Sequence, residues 1–198
     1  MACEGSRSHH LRKATPMERF PVHTINSAPK ASKSALGEVQ VRFGMIPNLA
    51  GAMATSPVLI QSFIGIFDKV HGGNFTEAQI QTVLLTDAVT NGCTWAVALH
   101  TALALKAGVD PANVEAMRAG RSPSDRKLGA LSTLARTLIE TRGRLNDQDA
   151  ERFVAAGFDE DLLLEAITIV AASTITNYTG SVTKPPLEAP LQAYAWNG

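Results

Sequence analysis

Apolar residues recur at three- and four-residue spacing along most of the chain, and residues that start or stop helices bracket each stretch. That periodicity limits the possible folds more than any other feature. Ser56-Pro57 precedes a stripe of Leu59, Ile60, Phe63, Ile64 and Phe67, which ends at Gly72-Gly73. Thr76-Glu77-Ala78-Gln79 reads as a capping box opening the next helix, which continues through Ile80, Val83, Leu84 and Ala88 to Asn91-Gly92. A further helix runs to Lys106 and stops at Gly108. The same signals predict helices over 31–43, 46–53, 123–142 and 147–156, another after Asp110-Pro111, and a long one after Asp159 to about Ser181. No run of four or more alternating apolar residues bounded by turn signals supports a strand. The expected fold class is therefore all-α, a helical bundle.

Composition narrows the partners. The 198 residues suit one compact domain, expected over 21–198 behind a disordered tail at 1–20. Lysine plus arginine and aspartate plus glutamate stand at 18 each, so no net field draws the chain to nucleic acid or an anionic membrane. Only 18% of residues are charged, which points to surface covered by another copy, a homo-oligomer. The uncharged run 166–183 approaches membrane-spanning length but holds Thr168, Ser173, Thr174, Thr176, Asn177, Thr179 and Ser181. It reads as a helix buried in protein rather than in lipid. Two cysteines, Cys3 and Cys93, build neither a disulfide framework nor a zinc quartet and fit a reducing, cytoplasmic location. Residues 16–30, with three prolines, read as an extended arm, and the proline-rich segment from Lys184 with Trp196 reads as a strap.

The chemistry concentrates in NGCTWAVALH, residues 91–100. On a helix Cys93, Ala96 and His100 share one face. A thiol at the middle position would give CxxCxxxH, but Ala96 stands there. Cys93 reads either as a small buried hydrophobe or as a thiol activated by a helix N-terminus. His100 reads either as a core histidine or as an acid/base group. Their seven-residue separation is about 10.5 Å of helical rise, too far for a direct bond. No second ligand stands at metal spacing, so neither metal nor cofactor is expected. Trp95 reads as packing or a pocket mouth. Glu165, inside the apolar LLLEAITIV, needs a partner and is also a candidate proton acceptor. His71 and His23 read as loop residues.

The segment NGCTWAVALHTALALKAG resembles the signature of the AhpD-like, carboxymuconolactone decarboxylase superfamily, whose peroxidase members read roughly NgCxYCxxaHxxlaxxaG. Residues 43–58 (FGMIPNLAGAMATSPV) are similar to that family's GxxPNLxxxMAxSP element, 153–157 to its FxxAG and 173–179 (STITNYT) to its SNYT-type segment. The resemblance covers about 21–196 and is strongest to the peroxidase-related branch. It implies an AhpD-like helical subunit that assembles into dimers, trimers or larger rings. It also implies a relay of two cysteines, a histidine and an upstream glutamate. Carried over, these fall on Cys93, Ala96, His100 and Gln81, so two of the four groups are absent. A two-thiol cycle within the motif is excluded. The resemblance leaves an alkylhydroperoxidase-like oxidoreductase of antioxidant type, reducing a small hydroperoxide at Cys93 with an external thiol and His100 as acid/base. The alternatives are a cofactor-free, lactone-decarboxylase-like enzyme and a non-catalytic, oligomeric ligand-binding relative. The former acts on a small carboxylate, for which the sequence shows no basic cluster beside the motif. Gln81, Trp95, Ala96, Glu165 and Tyr178 are the candidate pocket residues.

Overall fold

The computed structural model describes residues 19–198. The expected tail lies almost wholly outside the described residues. Helices make up the architecture, and there is no strand among the described residues. They are α1 (Lys33–Phe43), α2 (Asn48–Met53), α3 (Pro57–His71), α4 (Glu77–Thr90), α5 (Thr94–Lys106), α6 (Pro111–Arg118), α7 (Arg126–Glu140), α8 (Asp147–Ala155) and α9 (Glu160–Thr183). Short 3-10 turns lie at Lys30–Ser32 and Ala189–Tyr194.

The boundaries follow side-chain caps. Ser56 accepts from the Leu59 amide, and Thr76 and Gln79 form the reciprocal capping box. Asp110, Asn146 and Asp159 cap α6, α8 and α9. Helix α7 starts three residues later than the periodicity suggests, because Asp125 accepts from the Leu128 amide and fixes the N-cap there.

Helix α4 is the centre. Residues 80–88 are all buried, and α3, α5, α6, α7 and α9 pack around it. A helix enclosed on every side has no polar face to give to water, so its polar groups must find partners inside. Thr86 does so by donating to the Ser132 hydroxyl at 2.9 Å.

Within the chain, helix α9 is packed on one face only. Ala166, Ile169, Ser173, Asn177 and Gly180 trace its packed face, whereas Leu164, Ile167, Tyr178 and Val182 are exposed. Lys184, in the left-handed region at φ 47°, ends it, and Pro185-Pro186 then carries the chain into the strap. The strap is tied down at two places. Glu188 accepts from the Asn48 amide at 2.6 Å and from Trp95 Nε1 at 2.9 Å. Arg118 donates to the carbonyls of Tyr194 and Ala195, both at 3.0 Å, while its own carbonyl accepts from Trp196 Nε1 at 3.0 Å.

One polar cluster lies between α4 and α9. Asn177 Nδ2 donates to Ser173 Oγ at 3.0 Å, but Asn177 Oδ1 and both Asp87 carboxyl oxygens are buried with no hydrogen bond. Burial pushes Asp87 well above the ordinary carboxyl range, with the Ser173 side chain opposing it. Burial thus favours the uncharged form of Asp87. An acid held neutral when folded but ionised when unfolded stabilises the fold fully below its unfolded pKa and less as pH rises. Asp87→Asn keeps the shape and stays uncharged at every pH. The melting temperature of the wild type is expected to fall relative to Asp87→Asn as pH rises above the ordinary carboxyl range. Parallel curves for the two proteins would refute a neutral Asp87.

Candidate functional site

Helix α5 begins directly after Cys93, the N-cap residue, and presents Trp95 and His100 toward α4 and α2. A cavity of about 340 Å³ opens there, lined by His100, Gln81, Trp95 and Glu77 among mainly apolar side chains from α1, α2 and α3. Cys93 and Ala96 are not among its lining residues.

His100 is buried, and its Nδ1 lies 2.9 Å from Gln81 Oε1. Gln81 Nε2 donates to Glu77 Oε1 at 2.6 Å, and Glu77 Oε2 lies 3.0 Å from His71 Nδ1. The hydrogens in this chain can be assigned by elimination. An ionised carboxylate only accepts, so Glu77 must face the amide NH2 of Gln81. That turns the Gln81 carbonyl to His100, whose Nδ1 therefore carries the hydrogen. His100 Nε2 is left as a lone-pair acceptor with no protein partner among the described residues. Burial, reinforced by the charge of His71, holds the His100 imidazole down at about 3, so the ring is neutral through the physiological range.

Cys93 has different surroundings. Its sulfur packs against α9 where that helix has no side chain, so that a Cβ on Gly180 would stand 2.7 Å from Sγ. Burial raises the thiol pKa, and the Ala96 and Trp95 amides at the start of α5 offset this only in part. The activation expected from a helix N-terminus is therefore outweighed by desolvation.

The remaining candidates divide. Gln81 and Trp95 line the cavity, as expected. Glu165 does not; it accepts from the Asn74 amide at 2.7 Å and from Asn74 Nδ2 at 2.9 Å, fixing the α3–α4 turn. Tyr178 is 62% exposed on the outer face of α9. Ala96 is wholly buried. Two cations, Arg42 and Lys106, line the cavity. Arg42 is nonetheless committed to a two-bond ion pair with Asp68. Sequence reasoning missed Glu77 and His71. Glu77 stands one helical turn before Gln81, the spacing at which two side chains meet, and that signal was available. His71, the last residue of α3 rather than a loop residue, joins through tertiary packing alone.

Residues 65–135, which include the whole motif helix and Glu77, match the Carboxymuconolactone decarboxylase family. The match covers the central third of the chain and leaves the segments on either side outside it. The fold of the chain is AhpD-like. A peroxidase-related protein of Ralstonia eutropha JMP134, an alkylhydroperoxidase AhpD core, superposes with a TM-score of 0.76 at 19% identity, over 90% of this chain and 96% of that one. A peroxidase-related protein from Silicibacter sp. TM1040 gives 0.71 at 17% identity, over 87% and 91%. The debrominase Bmp8 gives 0.70 at 15% identity, over 83% and 90%. No curated protein matches the chain. In this chain the carboxylate of the polar row is Glu77, while the position carried over from the peroxidase relay holds the amide of Gln81.

The contact between Cys93 and Gly180 yields a prediction. Gly180→Ala is expected to destabilise the protein by about 1–3 kcal/mol through overpacking, and adding Cys93→Ala should restore most of that loss. Chemical denaturation of the four members of the cycle measures the coupling. Strictly additive effects would show that the sulfur does not rest on α9.

Proposed function

We propose that this protein is a cofactor-free acid–base enzyme acting on a small, largely apolar substrate, with His100 as the reacting group and Cys93 as a packing residue. The observation that carries this reading is the polar row Glu77–Gln81–His100, which commits Nδ1 and leaves Nε2 bare at the cavity wall. In this reading Nε2 accepts a proton from the substrate, and the Gln81 carbonyl then holds the Nδ1–H of the resulting imidazolium. Glu77, through Gln81, supplies the compensating negative charge at one remove. A ring so reluctant to be charged alone takes a proton where an anion is left beside it, forming a contact ion pair in a low-dielectric site.

Hydroperoxide reduction at Cys93 draws less support. It requires a thiolate within reach of the substrate, whereas the sulfur packs on Gly180 and burial favours the thiol. A structural relative also fits a small-molecule site. The debrominase has been captured, as a cysteine-to-alanine variant, in complex with 2,3,4-tribromopyrrole. Self-association completes the proposal, with the exposed Leu164, Ile167, Tyr178 and Val182 along α9 as the contact face.

Two measurements test this. Solvent-deuterium exchange into an unsaturated γ-lactone, followed by NMR, is expected to fall at least roughly 100-fold in His100→Ala and to stay within a few-fold of wild type in Cys93→Ser. Equal exchange in wild type and His100→Ala overturns the acid–base reading. So does organic-hydroperoxide consumption with dithiothreitol that disappears in Cys93→Ser. In sedimentation, Ile167→Glu is expected to shift an oligomer toward the monomer mass, and an unchanged mass removes α9 as the interface.

A further inference from the structure

The walls of the cavity restrict its occupant more than the reaction type does. Phe43, Phe63, Phe67 and Trp95 enclose the space with Met53 and Leu99, so most of what a ligand meets is aromatic or aliphatic. A cavity of roughly 150 Å³ takes up benzene. At about 340 Å³ this one has room for a single ring with a few substituents. Its charged lining residues do not favour an anion. Arg42 is paired with Asp68 and lies over the Phe67 ring at 5.8 Å, Glu77 is negative, and Lys106 stands exposed at the far end of α5. Among the described residues His100 Nε2 has no hydrogen-bond partner, and with Nδ1 carrying the hydrogen it accepts and cannot donate.

The geometry points to a neutral, planar ring compound bearing one acidic O–H or N–H, a phenol or an N–H heteroaromatic, as the ligand class, bound with that hydrogen on His100 Nε2. Aromatic walls select the flat ring by offset and edge contacts. A donor satisfies Nε2, whereas an isostere without the hydrogen leaves a desolvated acceptor unpaired. The same site discriminates against the ionised form, which presents a second acceptor to the lone pair and loses its hydration, while Lys106 stands at the exposed far end of α5 and Arg42 is paired with Asp68. This inference rests on the bare Nε2 of the proposed function, but requires no proton transfer.

The test uses the full-length protein with 4-nitrophenol and its methyl ether, 4-nitroanisole, in equilibrium dialysis at pH values on both sides of the phenol's ionisation. The phenol is expected to bind roughly tenfold or more tightly than the ether, and to weaken as it ionises. His100→Ala should abolish the preference for the phenol. Gln81→Leu, which frees the ring to place its hydrogen on either nitrogen, should reduce the preference, with folding checked by thermal melting. A loss in binding of both compounds without a change in their ratio would mark a merely structural role for Gln81 and count against the inference. Equal affinity for phenol and ether, tighter binding of the phenolate, or binding of neither overturns it. Ring binding with the donor preference but no His100-dependent exchange sinks the catalytic reading and leaves this one standing. Lactone exchange without ring binding does the opposite.

Discussion

A carboxylate has no hydrogen to give, and in this protein that elementary fact propagates through two further side chains. Glu77 fixes which end of the Gln81 amide faces it, Gln81 fixes which nitrogen of His100 is protonated, and the imidazole then meets the cavity with a lone pair. Reversing any one link would turn the cavity's acceptor into a donor. The row is held by backbone geometry as well as by hydrogen bonds. Glu77 and Gln81 are one turn apart on α4, whose start is pinned by the Thr76–Gln79 capping box. His100 sits on α5, which α4 meets across a tight turn at Asn91-Gly92. The tautomer is thus set at the first turn of α4, well before the chain reaches the motif that carries the histidine.

The missing sulfur has a structural counterpart. With alanine at position 96 the inner face of α5 is smooth, and the remaining thiol at Cys93 meets α9 at Gly180, where the absence of a Cβ makes room for it. Helices approach this closely where one of them lacks a side chain. A thiol used in that way contributes packing, and the same burial that suits it for packing raises its pKa. Structural and nucleophilic roles for one cysteine draw on opposite environments.

Helix order and most boundaries were legible because they depend on local signals, namely caps, glycine stops and apolar spacing. The start of α7 was misjudged because Pro123 and Asp125 both make acceptable beginnings, and only the Asp125 cap decides. Among the site residues, His100, Gln81 and Trp95 were legible from the motif and its spacing. Glu165 and Tyr178 were misplaced because helical periodicity says that a residue lies on a face, not which face is inward, when α9 is apolar nearly all round. Glu165 proved to satisfy a turn, a partner 91 positions away that no local pattern announces. Glu77 was overlooked for the opposite reason. Its role as a helix-starting residue is complete in itself and carries no local sign of a second.

His100 and Asp87 flank the same stretch of protein from opposite ends of α4's buried run, and burial keeps both uncharged by opposite means. The base loses its proton and the acid keeps one. Burial thus disfavours charge in the core shared by α4, α5 and α9, whereas Glu77 and Arg42 are part-exposed and carry their charge toward solvent. Such an arrangement leaves the inner wall at low dielectric, where an isolated charge is costly and a newly separated pair is strongly attracted. In the proposed reaction, proton transfer to His100 would therefore create two opposite charges in contact, and would reverse as they part. A site built this way favours moving a proton within one bound molecule over releasing a free anion.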